Sequence, residues 1–100
     1  MGWADGHIAR LAEGLTVQFR PRGHSMTGKI SSGQLCTVEP IGEHRLVVDD
    51  IVLCRVKGAQ YLHLIKAIQG DRFQIGNNRG GINGWVTHRQ IFGRLIALAP

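Results

Sequence analysis

Strand-length apolar runs, cut apart by glycine-bearing turns, constrain this chain more than any other feature. Thr16–Arg20, Leu35–Val38, Ile51–Val56, Tyr61–Ile68, Arg72–Ile75 and Arg94–Leu98 are each four to eight residues long and rich in valine, isoleucine, leucine and aromatics. Such residues fit a pleated, half-buried surface. Val56-Lys57-Gly58-Ala59-Gln60 reads as a hairpin turn, and Gln69-Gly70-Asp71 as a second turn leading into Phe73 and Ile75. Pro21 stops the first run ahead of a turn that carries Ser25. Helical spacing occurs only at the start, where Trp3, Ile8, Leu11, Ala12 and Leu15 predict a short helix ending near Gly14. The runs favour a mainly β, partly closed antiparallel architecture, with residues 1–14 as an N-terminal helical segment and residues 15–100 as a single β domain. Gly76 to Gly84, rich in glycine and asparagine, reads as an irregular connection bordering a cleft, with Trp85 either a core anchor or a cleft wall.

With 100 residues, 43% of them hydrophobic, the chain can build one core but not two. It is expected to fold alone or as a homodimer. No apolar run reaches the roughly 18 residues a membrane helix needs, and Met1 to His7 lacks the cationic and apolar regions of a signal peptide. The expected compartment is the cytoplasm. There Cys36 and Cys54, which lack a Cys-x-x-Cys spacing, should remain reduced core thiols. The five histidines show no metal-ligand spacing, so neither a metal nor another cofactor is expected. The net charge of +5 raises the question of nucleic acid, but the arginines and lysines are scattered and aromatic interleaving is sparse. Arg20-Pro21-Arg22 would serve an acidic peptide or a phosphate equally well.

One serine and one lysine stand out chemically. Ser25 lies in Gly23-His24-Ser25-Met26, and Lys66 follows 41 residues later in a predicted strand. A serine hydroxyl needs a neighbouring base to become a nucleophile, and a lysine amine serves only where burial strips its hydration. Strand alternation would put Lys66 on one face with Leu62, Leu64 and Ile68, which supplies that burial. The other face, Tyr61, His63, Ile65 and Ala67, is also largely apolar, so periodicity alone does not settle the orientation. His24 and His63 are the other candidate bases, and strand alternation argues against His24 pairing with the adjacent Ser25.

The stretch from Gly23-His24-Ser25-Met26 through Gly33-Gln34 to Val38 resembles the nucleophile box of the signal-peptidase and LexA-like Ser-Lys peptidases. Asp49-Asp50-Ile51-Val52-Leu53, the context of Lys66 before Gly70-Asp71, Gly76-Asn77-Asn78-Arg79 and Ile91-Phe92-Gly93-Arg94-Leu95 are similar to later boxes of that superfamily, so the resemblance spans about residues 15–96. It implies a β fold of the LexA/signal-peptidase type and a serine endopeptidase acting on a protein or peptide substrate. Ser25 would be the nucleophile and Lys66 the general base, within hydrogen-bond reach of each other, with Gly23, His24 and Met26 at the oxyanion and substrate side. The chain departs from the pattern at Gly28, where proline is usual, at Gln34, Asp49 and Asn77, and over Gly80 to Trp85, which lacks the Ser-x-Asp-Ser-Arg run beside the lysine. No Ala-Gly or Cys-Gly pair precedes Ser25, so the expected substrate is another chain. The competing expectations are a peptidase-like peptide-binding or regulatory module with little turnover, and a basic nucleic-acid-associated domain.

Overall fold

In the computed structural model, which describes residues 2–100, a helix α1 (Asp5–Ala12) precedes seven strands: β1 (Val17–Phe19), β2 (Leu35–Pro40), β3 (Ile51–Val56), β4 (Ala59–Gln69), β5 (Arg72–Gly76), β6 (Ile82–Thr87) and β7 (Ile91–Ala99). All seven form one open antiparallel sheet in the order β1-β2-β7-β3-β4-β5-β6. The sheet is open rather than closed on itself, with β1 and β6 at its edges. No helix among the described residues is long and apolar enough to cross a membrane.

Six of the strands match the apolar runs, and the β3–β4 hairpin turns at Lys57 and Gly58, both at positive φ. The seventh does not. Ile82–Thr87, expected to lie partly in a loop, pairs with β5 from Arg72↔Thr87 to Gly76↔Ile82. Gly84 and Asn83 are poor strand formers, and the pairing rests on Val86, which is buried against Phe73, its register partner. Trp85 proves to be neither core anchor nor cleft wall: it is 37% exposed, with the Arg72 guanidinium over its ring.

Alternation along the strands divides the apolar residues into two clusters. Leu53, Leu62 and Leu64 join Cys36, Val38, Met26 and Ile30 in one, and Leu11 of α1 and Ala4 ahead of it belong to the same cluster. Val52, Cys54 and Ile65 join Phe73, Ile75 and Val86 in the other. Both cysteines are buried free thiols, and burial pushes the Cys54 thiol up to about 12, which makes it inert.

β4 exchanges partners midway. Ala59 to Leu64 pair with β3, and Leu64 to Gln69 pair with β5. The Ile65 backbone bonds Asp49 and Asp50 on the β3 side, so by alternation the N–H and C=O of Leu62 point to the other side, where β5 has not yet begun. A bulge follows at once: Ile65 opposes Ile75 and Ala67 opposes Gln74, which leaves Lys66 as the extra residue. Beyond the bulge Ile68 is 39% exposed and does not join Leu62 and Leu64 in an apolar wall as alternation had implied.

The Ser25 turn is held from beneath by Met26 and Ile30, both about 5% exposed or less. Met26→Ala should therefore cost about 2–5 kcal/mol in urea unfolding, the usual range for truncating a buried methionine. Truncation of the exposed neighbour Lys29, whose side chain bonds no described residue, should leave the midpoint nearly unchanged.

Candidate functional site

Ser25 sits at the start of a tight turn, exposed, with its successor Met26 drawn into the core. The turn closes through Thr27 N–H and Oγ1–H donating to the His24 carbonyl, and through Lys29 and Ile30 N–H donating to the Met26 carbonyl. Asn78, from the β5–β6 connection, holds it from the side. Its backbone N–H donates to the Ser25 carbonyl at 2.9 Å and its side-chain amide to the Thr27 carbonyl at 2.8 Å. Gly28 makes that approach possible, since a Cβ there would stand 3.1 Å from the Asn78 amide nitrogen. Its φ of +96° also excludes the proline of the resembled box.

The Ser25 hydroxyl meets His63 from β4. Ser25 Oγ lies 3.0 Å from His63 Nε2, and His63 Nδ1 lies 2.7 Å from Oδ1 of Asn83 on β6. A side-chain amide oxygen only accepts, so Nδ1 carries the proton and donates it to Asn83. That leaves Nε2 bare, as the acceptor for the serine hydroxyl. Tyr61 stacks on the His63 ring at a centroid distance of 4.8 Å, and the imidazole is only 6% exposed. Burial penalises the imidazolium and lowers the His63 pKa from 6.5, a shift partly opposed by the hydrogen bond to Asn83.

Lys66 stands elsewhere. Its Nζ donates to the Asn77 carbonyl at 3.1 Å, and the hydrogen bond expected between Ser25 Oγ and Lys66 Nζ is not formed. The bulge is the physical reason, because it redirects Lys66 along Gly76, where an added Cβ would come within 2.9 Å of Lys66 Cγ. The amine thereby braces the loop whose next residue, Asn78, grips the Ser25 turn. Asn77 completes the brace by accepting the N–H groups of Arg79 and Gly81 on Oδ1, each at 2.8 Å.

The remaining residues expected at the site divide in the same way. Gly23 donates its N–H to Ser32 Oγ, and a Cβ there would meet nothing within 4 Å, so its φ of +127° rather than a close approach calls for glycine. His24 is exposed and its ring bonds neither Ser25 nor any other described residue. Met26 serves through its buried side chain, while the N–H groups of Ser25 and Met26 make no backbone hydrogen bond. Asn83 had no counterpart in the sequence reading, although it lies in the very segment that departs from the resembled pattern. Among the described residues no group of three or more His, Cys, Asp or Glu could hold a metal ion.

Ser25 and His63 border a cleft of about 490 Å³, lined by Phe19, Arg22, Met26 and Tyr61 among others, and Asn83 stands behind His63 outside its lining. No protein-family model matches the chain, and a search of curated proteins returns no match.

The direction of the His63 shift can be read directly. An NMR titration should put its midpoint below 6.5, and Asn83→Asp should raise it, because a carboxylate favours the imidazolium. Folding favours the neutral ring, so this group contributes stability above about pH 6.5 that is lost as pH falls through its folded pKa.

Proposed function

We propose that the chain is a serine hydrolase, acting as an endopeptidase on a protein or peptide substrate, with Ser25 as nucleophile, His63 as general base and Asn83 as the residue that orients the base. The observation that carries the reading is the continuous pair of hydrogen bonds Ser25 Oγ–His63 Nε2 and His63 Nδ1–Asn83 Oδ1. It meets the geometric requirement for an activated serine: nucleophile on base, base on a third group that selects its tautomer. An asparagine in the third place is compatible with such chemistry, as Cys-His-Asn proteases demonstrate on an unrelated fold.

The steps follow from these atoms. Ser25 Oγ attacks a carbonyl carbon while His63 Nε2 takes the hydroxyl proton; the imidazolium then gives that proton to the leaving group. His63 has little to overcome before it acts, since burial keeps it neutral at pH 7. The unspent N–H groups of Ser25 and Met26 are the available donors for the oxyanion. The open side of β4 supports a peptide as substrate, because the N–H and C=O of Leu62, which lines the cleft, are free to pair with an extended chain. The resemblance to the signal-peptidase and LexA-like peptidases adds weight to Ser25 as nucleophile. In this reading Lys66 is a positioning residue.

Turnover of an activated ester or a labelled casein separates the two candidate bases. Ser25→Ala and His63→Ala should each lower kcat by about 10³-fold or more, whereas Lys66→Met should keep most of kcat provided its Tm stays near that of the wild type. The pH profile adds an independent readout. Activity through His63 should rise with a midpoint below 6.5 and stay flat from pH 7 to 9, while a lysine base would keep climbing over that range. Full activity in His63→Ala, or none in a folded Lys66→Met, would remove His63 from the role. Binding of peptide without turnover in the wild type would favour the regulatory-module alternative.

A further inference from the structure

The cleft beside Ser25 has two aromatic groups built into it. Trp3, His7 and Phe19 come from the N-terminal segment and β1: His7 stacks on Phe19 at 4.5 Å, and Trp3 meets Phe19 edge-on at 5.5 Å. Tyr61, stacked on His63, comes from β4. Met26 and Ile30 line the cleft between the nucleophile turn and the core.

These rings are fixed in place. The Trp3 indole N–H donates to the Gln60 carbonyl at 3.1 Å, and the Gln60 side chain accepts Ala4 N–H at 2.8 Å while donating to Asp5 at 2.6 Å. The segment ahead of α1 is thereby stapled to the start of β4, and Trp3 nevertheless remains 52% exposed. A tryptophan held by its polar atom with half its surface open offers a preformed apolar face, and a pocket ordered in advance spends little binding energy on immobilising its walls.

Charge at the cleft is one-sided. Arg20 and Arg22 line it, and no aspartate or glutamate does. Arg20 is engaged, donating to the Gly33 and Pro100 carbonyls. Arg22 is exposed and forms no ion pair with any described carboxylate. The volume of about 490 Å³ lies within the range of small-ligand sites and far exceeds what a methyl side chain needs.

We propose that this cleft is a specificity pocket for a peptide segment carrying an aromatic side chain next to a carboxylate, with Trp3, Phe19 and Tyr61 enclosing the ring and Arg22 meeting the acid. The assignment of substrate class rests on Ser25 being the reacting group of the same cleft. The pocket can nonetheless be tested apart from the chemistry.

The experiment is calorimetric titration of the Ser25→Ala protein, which cannot turn substrate over, with acetyl-Gly-Phe-Glu-Gly-amide and its Phe-to-Ala and Glu-to-Lys versions. Burial of a phenyl ring predicts about tenfold or more tighter binding for the phenylalanine peptide than for its alanine version. The exposed charge pair predicts a preference of about two- to fivefold for glutamate over lysine, weakening with added salt. In the Ser25→Ala background, Trp3→Ala should remove most of the aromatic preference and Arg22→Gln most of the acidic one, each compared at a Tm near that of the Ser25→Ala protein because Trp3 also holds the Gln60 carbonyl. Equal binding of the phenylalanine and alanine peptides, absence of binding by all three, or an aromatic preference that survives Trp3→Ala and Phe19→Ala in folded proteins would overturn the pocket. Ester hydrolysis by the wild type would still stand in that event, so failure of the pocket and failure of the Ser25–His63 reading are told apart.

Discussion

The hand-over on β4, from β3 to β5 at Leu64, is the constraint on which the rest of the molecule depends. A strand bonded on both sides along its whole length would have no edge to offer. Here the first half of β4 is bonded on one side only, and the unpaired side is where the Ser25 turn, the N-terminal segment and the cleft gather. An open edge invites association with another chain unless it is covered or used. Gln60 is covered by Trp3 and Ala4, while Leu62 remains at the mouth of the cleft. His63 follows Leu62 and is thus delivered to the Ser25 turn.

The same hand-over explains why a lysine of the right type and spacing makes no hydrogen bond to the Ser25 hydroxyl. One extra residue between Ile65 and Ala67 re-aims Lys66 toward the β5–β6 connection, where it serves as a strut. A chain of polar contacts then runs from Lys66 through the Asn77 carbonyl to Asn78 and on to the backbone of Ser25 and Thr27. Each hydrogen bond in this chain ends on a main-chain carbonyl, so the turn is held without an ion pair. Beneath it, Met26 and Ile30 supply the apolar anchor. An exposed hydroxyl is thereby mounted on a turn fixed from the side by Asn78 and from beneath by Met26 and Ile30.

Much of this was legible in the chain. The apolar runs, the Lys57-Gly58 hairpin and the buried thiols at Cys36 and Cys54 follow from local preferences: β-branched and aromatic residues favour a pleated surface, and glycine permits positive φ. Ser25 stood out because Gly23-His24-Ser25-Met26 resembles a Ser-Lys peptidase box and Lys66 follows at the matching distance. β6 escaped because Asn83 and Gly84 are poor strand formers, and its strand character comes from pairing with β5 and burial of Val86. Asn83 was missed for that reason, although Trp85-Val86-Thr87 beside it carried a strand signal.

The amino-acid sequence by itself determined the helix and six of the seven strands, the hairpin and the presence of a serine on a tight turn, because each depends on residues within a few positions of one another. Only the tertiary structure decided which side chain the serine hydroxyl meets. Ser25 and His63 are 38 residues apart, and Asn83 is a further 20. Their contact depends on where β4 changes partners, on a single-residue bulge and on the pairing of β6. Alternation carries orientation along a strand only as far as the first bulge, and past that point long-range packing sets which way a side chain faces.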